Sequence, residues 1–195
     1  MQARMTIIRL AMGAFLGALI MFFWSAFSHM LLLKGVGFTP LPDEERVTGQ
    51  LKISVGDEGL YFFPGRDFRS SYTPEQEATW ETKFRQGPTG LLLYHSGGVS
   101  SVSPRKLLVQ FLSEVLAAAI ASLIVSRMVG PNWQRVLAVA LFGAFGCLSV
   151  STIYWNWYGF PDSFFAAQCV DQVVGWLVAG VAVVVVIPKP RPPSS

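Results

Sequence analysis

At 195 residues, 52% hydrophobic and only 14% charged, the chain is too apolar for an ordinary water-soluble domain. Its net charge of +3 does not argue for nucleic acid: nine Lys/Arg between Lys34 and Lys106 meet nine Asp/Glu, and the surplus flanks apolar runs. Four such runs are long enough to cross ~30 Å of hydrocarbon at ~1.5 Å rise per residue, which predicts a polytopic membrane protein.

The first run, LAMGAFLGALIMFFWSAFSHMLLL after MQARMTIIR, begins like a secretory signal but continues to Leu33 without an A-x-A-like site. It reads as an uncleaved first span over residues 1–33. Gly13 and Gly17 make a GxxxG pair that lets another helix approach closely. Ser25 and His29 share a face near its far end. Residues 34–106 are too long for a simple loop and too short for a large core, and read as a small α+β cap. DEERVTGQLKI has Val47 and Leu51 spaced for a short amphipathic helix, weakened by Gly49. GLYFFP (Gly59–Pro64) and GLLLYHS (Gly90–Ser96) predict two short paired strands. Between them Thr73-Pro74-Glu75-Gln76 spells an N-cap, a first-turn proline and a capping box, so a helix should run from Pro74 to about Gln86 and stop at Gly87-Pro88. Trp80 and Phe84 fall on one face of it.

Residues 107–187 hold the other three spans. The second, Leu107–Val125, carries Gln110 and Glu114 one turn apart, with Ala118 and Ser122 keeping the next turns thin. The third runs from Val136 to about Trp157, with Ser149, Thr152 and Asn156 at helical spacing and an aromatic belt at its end. The fourth, Phe164–Ile187, places Gln168, Asp171 and Gln172 at spacings of three and four, on one helical face, with Gly175 as a further packing position. Residues 188–195, PKPRPPSS, form a basic Pro-rich tail. Cys147 and Cys169 have neither CxxC spacing nor metal-site company and read as small buried side chains. Arg4, Arg9, Arg127, Arg135, Lys189 and Arg191 gather on one side of the spans. By the positive-inside rule both termini are cytoplasmic and the cap is outside.

That orientation brings the interior polar groups to one depth, with Glu114 ~10 Å and Asp171 ~12 Å below the outer surface. His29, Gln110, Thr152, Asn156, Gln168 and Gln172 share the outer half, so a buried polar cluster is expected there. The inner halves are almost wholly apolar. The cluster can be structural, its hydrogen bonds worth ~0.6–2 kcal/mol each and fixing helix register. Alternatively, Glu114 and Asp171 form a proton-carrying or cation-binding pair. An apolar inner half counts against a channel or pump. No HExxH, GxSxG or phosphate-binding loop is present, so no catalytic residue, metal or cofactor is expected. The lesser reading is His29 as an axial ligand to haem or chlorophyll.

At YFFPG (Tyr61–Gly65), GPTGLLLYH (Gly87–His95), YWNWYGFP (Tyr154–Pro161) and DQVVGW (Asp171–Trp176) the chain resembles a family of uncharacterised bacterial four-span inner-membrane proteins. The resemblance implies four spans and an extracytoplasmic insert, and brings no activity with it. The expected fold is an all-α membrane protein, a four-helix bundle with a small α+β extracytoplasmic cap between spans 1 and 2. The expected role is non-enzymatic: an accessory or scaffolding subunit of a larger bacterial membrane complex, respiratory or photosynthetic, with lipid and other membrane subunits as partners. The alternative is a small proton-coupled carrier using the buried acids.

Overall fold

A computed structural model of the protein describes the backbone of residues 2–190 and the side chains of residues 7–190. The Arg4 side chain and the tail beyond Pro190 lie outside the described residues. The elements in chain order are α1 (Gln2–Phe27), which widens into a π turn over Ser28–Leu32, then α2 (Glu44–Ser54), β1 (Gly59–Phe63), α3 (Pro74–Gln86) and β2 (Gly90–Tyr94). They are followed by α4 (Pro104–Val125), α5 (Asn132–Gly146), a second π turn (Cys147–Ser151), α6 (Thr152–Tyr158) and α7 (Asp162–Val186). Four helical segments are long and apolar enough to cross a membrane: Ile7–Leu32, Pro104–Val125, Asn132–Tyr158 and Asp162–Val186.

Each span starts and stops where its sequence provides a terminus. Ser103 caps α4, its hydroxyl accepting from the Lys106 N–H at 3.3 Å, with Pro104 in the first turn. Pro131 opens α5, and Gly159 ends α6 in a left-handed turn at φ 71°. Asp162 opens α7, where its charge suits the helix dipole and its carboxylate accepts from Trp155 Nε1 at 2.7 Å.

The spans form one compact unit, residues 1–38 with 102–195, in which α7 packs against α1, α4 and α5, antiparallel to α1 and α5 and parallel to α4. The interface is built from small residues, as membrane helices require where van der Waals contact replaces the hydrophobic drive. Gly13 and Gly17 of α1 meet Ser122 and Ala118 of α4. A Cβ on Gly13 would stand 2.7 Å from Ser122 Oγ, and one on Gly17 would stand 3.0 Å from Ala118 Cβ and 2.9 Å from Val183 Cγ2 of α7. Gly175 lies under Met21 and Trp24 of α1 in the same way. All five of the predicted packing positions, Gly13, Gly17, Ala118, Ser122 and Gly175, are buried. Ala18, Ala121, Val139, Ala179 and Val183 fill the core between them.

The second unit, residues 39–101, begins and ends five residues inside the predicted cap boundaries of 34 and 106. The difference has a local cause. Gly37, at φ 81°, lies against Phe164 of α7, and the Phe38 ring packs on Phe164 at 5.6 Å, so this stretch belongs with the spans. At the other end, Pro104–Lys106 form the first turn of α4. Within the unit β1 and β2 pair antiparallel, Leu60 opposite Leu93 and Phe62 opposite Leu91. The Thr73 capping box is complete, with Thr73 N–H to Gln76 Oε1 at 2.9 Å and Gln76 N–H to Thr73 Oγ1 at 3.3 Å. Phe62 stacks on Phe84, which lies 5.2 Å from Trp80. Arg66 forks onto Glu77 with two 2.8 Å bonds and lies 4.9 Å over both the Trp80 and Tyr72 rings. Even so, no described residue of this unit is fully buried.

Candidate functional site: a split polar cluster within the spans

Asp171 on α7 is the centre of the polar groups. Its side chain is 3% exposed, and Oδ1 has no hydrogen-bond partner. Oδ2 lies 4.0 Å from His29 Nδ1, which stands 3.1 Å from the Ser25 carbonyl oxygen one turn back. Two acceptors therefore face one ring nitrogen, so Nδ1 carries the hydrogen and donates it to Ser25. The Asp171 contact is too long for a hydrogen bond and is electrostatic. Trp24 Nε1 donates to the Asp171 main-chain oxygen at 3.1 Å, fixing α1 against α7 at this level. Ser28, in the first π turn, is fully buried with its hydroxyl unpartnered. Glu114 of α4 is buried and accepts from Gln110 Nε2 at 2.6 Å. The two carboxylates stand on helices that pack together, α4 and α7.

Not every predicted member joins this cluster. Gln110 and Asn156 are exposed, although both were expected to be buried. Gln110 still reaches Glu114, whereas Asn156 is carried away by the second π turn. A π turn adds a residue to the helix, and one residue is ~100° of rotation, so the Ser149–Thr152–Asn156 stripe does not continue the inner face of α5. Thr152 is half-buried, and His29 is 52% exposed at its side chain.

The predicted common face of Gln168, Asp171 and Gln172 is also divided. That face spans an arc wide enough to meet two neighbours. Asp171 turns toward α1, while half-buried Gln168 and Gln172 line a cavity of about 490 Å³ with Gly146, Val150, Tyr154, Phe160 and Phe164. This cavity lies between α7 and the α5–α6 segment.

Three features have no counterpart in the sequence reading. Cys147, in the second π turn, and Cys169 of α7 are joined in a disulfide with Cα atoms 5.2 Å apart, which corrects the expectation of two unpaired thiols. The sequence separation of 22 gave no hint, because only the α5–α7 packing brings the two turns to one level. Arg135, expected as a flanking charge, is 1% exposed. Its guanidinium donates to the carbonyls of Ile187 at 2.8 Å and Val125 at 3.3 Å, the last turns of α7 and α4, where the dipole favours a cation. Gly143 is a third such case. A Cβ there would press on the Gln172 carbonyl, 2.6 Å from its carbon, so α5 and α7 touch backbone to backbone.

Chemically, the buried Asp171 and Glu114 are groups able to hold a proton or a small cation. Among the described residues no set of three or more His, Cys, Asp and Glu side chains converges as a metal site would need. Toward the end of the spans where α4 and α7 stop, the bundle offers buried Ala and Val side chains and then the Arg135 guanidinium, a charge that repels any cation passing that way. No protein family, curated protein or solved structure matches this chain.

Proposed function

We propose that this is a multi-pass accessory subunit of a larger complex in the bacterial inner membrane, with both termini cytoplasmic and the cap outside. It is non-enzymatic in this reading. The observation that carries it is the unfinished core of the 39–101 unit. Ile53, Leu60, Phe68 and Leu93 are each at least 66% exposed, and Leu60 and Leu93 form one cross-strand pair. A two-stranded sheet is marginal by itself and needs a covering surface. A partner subunit of the complex supplies that surface. The orientation draws support from the lysines and arginines that flank the spans. The resemblance to four-span inner-membrane proteins agrees with this placement and is itself part of the proposal.

A photo-crosslinking residue at Leu93 in native membranes tests this reading. The expected result is a single stoichiometric adduct with another membrane protein that is lost in Leu60→Asp. A lone monomer or homodimer in mild detergent, with no adduct, refutes it.

One observation favours a second reading, a proton-coupled carrier: the unpartnered carboxylate oxygen of Asp171 beside His29 and the buried Ser28 hydroxyl. On that reading Asp171→Asn and Glu114→Gln abolish proton-coupled uptake in vesicles at normal abundance. If both substitutions only lower abundance, the acids are structural.

A further inference from the structure

The cavity between α7 and the α5–α6 segment holds polar groups that the fold does not use. Gln168 and Gln172 stand one turn apart on its α7 wall, and among the described residues neither carboxamide has a hydrogen-bond partner. Much of the remaining lining is apolar: Val150, then an aromatic row in which Tyr154 lies 5.6 Å from Phe160 and Phe160 lies 5.2 Å from Phe164. No charged side chain is among the lining residues, so the site suits an uncharged group. Val150 is 53% exposed and Tyr154 47%, so the cavity opens outward from the bundle, where lipid surrounds the spans. α7 starts at Asp162, which puts Gln168 ~9 Å and Gln172 ~15 Å along the span. The polar layer of a bilayer face is only ~5–7 Å deep, so both amides lie at or below the top of the hydrocarbon, where water does not serve them. Two carboxamides bring four N–H donors and two acceptors, and what they lack is acceptors.

We infer that this cavity is a lipid site in which the two ester carbonyls of one glycerolipid accept from the carboxamides of Gln168 and Gln172. The inference needs the spans to cross a bilayer. It depends neither on the subunit reading nor on which end faces out. Ester carbonyls are the acceptors that a bilayer itself offers at the top of its hydrocarbon, and they cannot donate. An acyl chain alone would use the apolar walls and leave both amides idle. A neighbouring helix would do little better, since its carbonyls are already bonded within its own backbone. A glycerolipid uses both parts of the site, its esters against the amides and one chain over Val150 and the aromatic row. The two glutamine side chains start ~6 Å apart along the helix and are long enough to converge on esters carried by adjacent glycerol carbons. Gly146 keeps the site open: a Cβ built there meets nothing within 4 Å.

Lipid chemistry tests this first on the unaltered protein. Full-length protein, stripped of lipid in mild detergent, is titrated with dioleoyl phosphatidylcholine or with its diether analogue. The analogue keeps the head and both chains and lacks only the carbonyls. Native mass spectrometry reads the apparent affinity for the first lipid retained. The diester should bind about tenfold tighter than the diether, the worth of two neutral hydrogen bonds. The double variant Gln168→Leu/Gln172→Leu should hold both lipids alike, at the affinity the parent shows for the diether. Gly146→Leu, which fills the open wall, should bind both more weakly than the parent binds the diether. The inference is overturned if the parent binds the two lipids equally, as it would were the cavity covered by a second copy of the chain. It is also overturned if the ester preference survives in the double variant, or if Gly146→Leu binds both lipids like the parent, since either places the lipid elsewhere.

Discussion

Placing a single methyl group at Gly143 should separate the two most closely packed helices of the protein. In Gly143→Ala the new Cβ stands 2.6 Å from the Gln172 carbonyl carbon and 3.0 Å from Val173 Cα. Both are main-chain atoms, so no rotamer change relieves the overlap. The helices must part, and the disulfide one turn away, between Cys147 and Cys169, opposes that. Overpacking of this kind costs about 1–3 kcal/mol, and the backbone setting puts it at the upper end. The matched control is Gly146→Ala, three residues on in the same helix and in open space. Both substitutions gain the same helix propensity, up to about 1 kcal/mol, so it cancels between them. The difference between the two variants should therefore be about 3 kcal/mol, roughly a hundredfold in the unfolding equilibrium. Unfolding in mixed micelles of rising SDS content, followed by tryptophan fluorescence, measures it directly. If Gly143→Ala matches Gly146→Ala within experimental scatter, α5 and α7 do not meet backbone to backbone.

Arg135→Met should lower stability by about 1–3 kcal/mol, since it leaves the buried Ile187 carbonyl without its donor while Val125 keeps the Met128 N–H, and the same titration reads the loss. Arg135→Lys should recover only part, because an ammonium has no counterpart of Nη1, which donates to Asn132 Oδ1 at 3.3 Å while Nη2 serves the carbonyls. Cys147→Ser should cost about 3 kcal/mol, as expected for a crosslink closing a loop of 22 residues, and should shift the protein on a non-reducing gel. Arg66→Lys should loosen the 39–101 unit by about 1 kcal/mol, the bidentate pair with half-exposed Glu77 being partly screened, and faster hydrogen exchange in β1 would show it. Acid should loosen the same unit. Asp67, held below its ordinary pKa by the Ser70 hydroxyl and the Arg69 N–H, and Glu75, held down by its own N–H and then Thr73, favour the fold only while ionised. Their contribution is complete above the unfolded carboxylate pKa and lost as pH falls through the depressed folded values. Trp80 fluorescence should therefore change between about pH 5 and about pH 2 and stay flat above.

The four spans were legible because length and apolarity alone set them, and local chemistry marked their ends. The 39–101 unit was legible for the same reason: the Thr73 capping box, Gly87-Pro88 and the two short aromatic runs each name their own conformation. What could not be read was rotation. Gln168, Asp171 and Gln172 share a face of an isolated helix, but two neighbours compete for that arc, and which one takes each side chain depends on packing. The π turns at Ser28–Leu32 and Cys147–Ser151 shifted the phase again, exposing Asn156 and setting Cys147 opposite Cys169. Arg135 looked like any flanking cation, since nothing within one helix says that two other helices end beside it. Gly143 was passed over because it belongs to no GxxxG pair.

The contacts of Arg135 also bear on the order of assembly. Its main acceptor, the Ile187 carbonyl, is made 52 residues later in the chain. At translation rates of about 5–20 residues per second, that charge waits several seconds at the edge of the bilayer with only Val125 and Asn132 to accept from it. During that interval the earlier helices are held together only by weak, reversible contacts. The final helix therefore acts as the latch of the newborn protein, supplying the shortest of the bonds that hold the guanidinium.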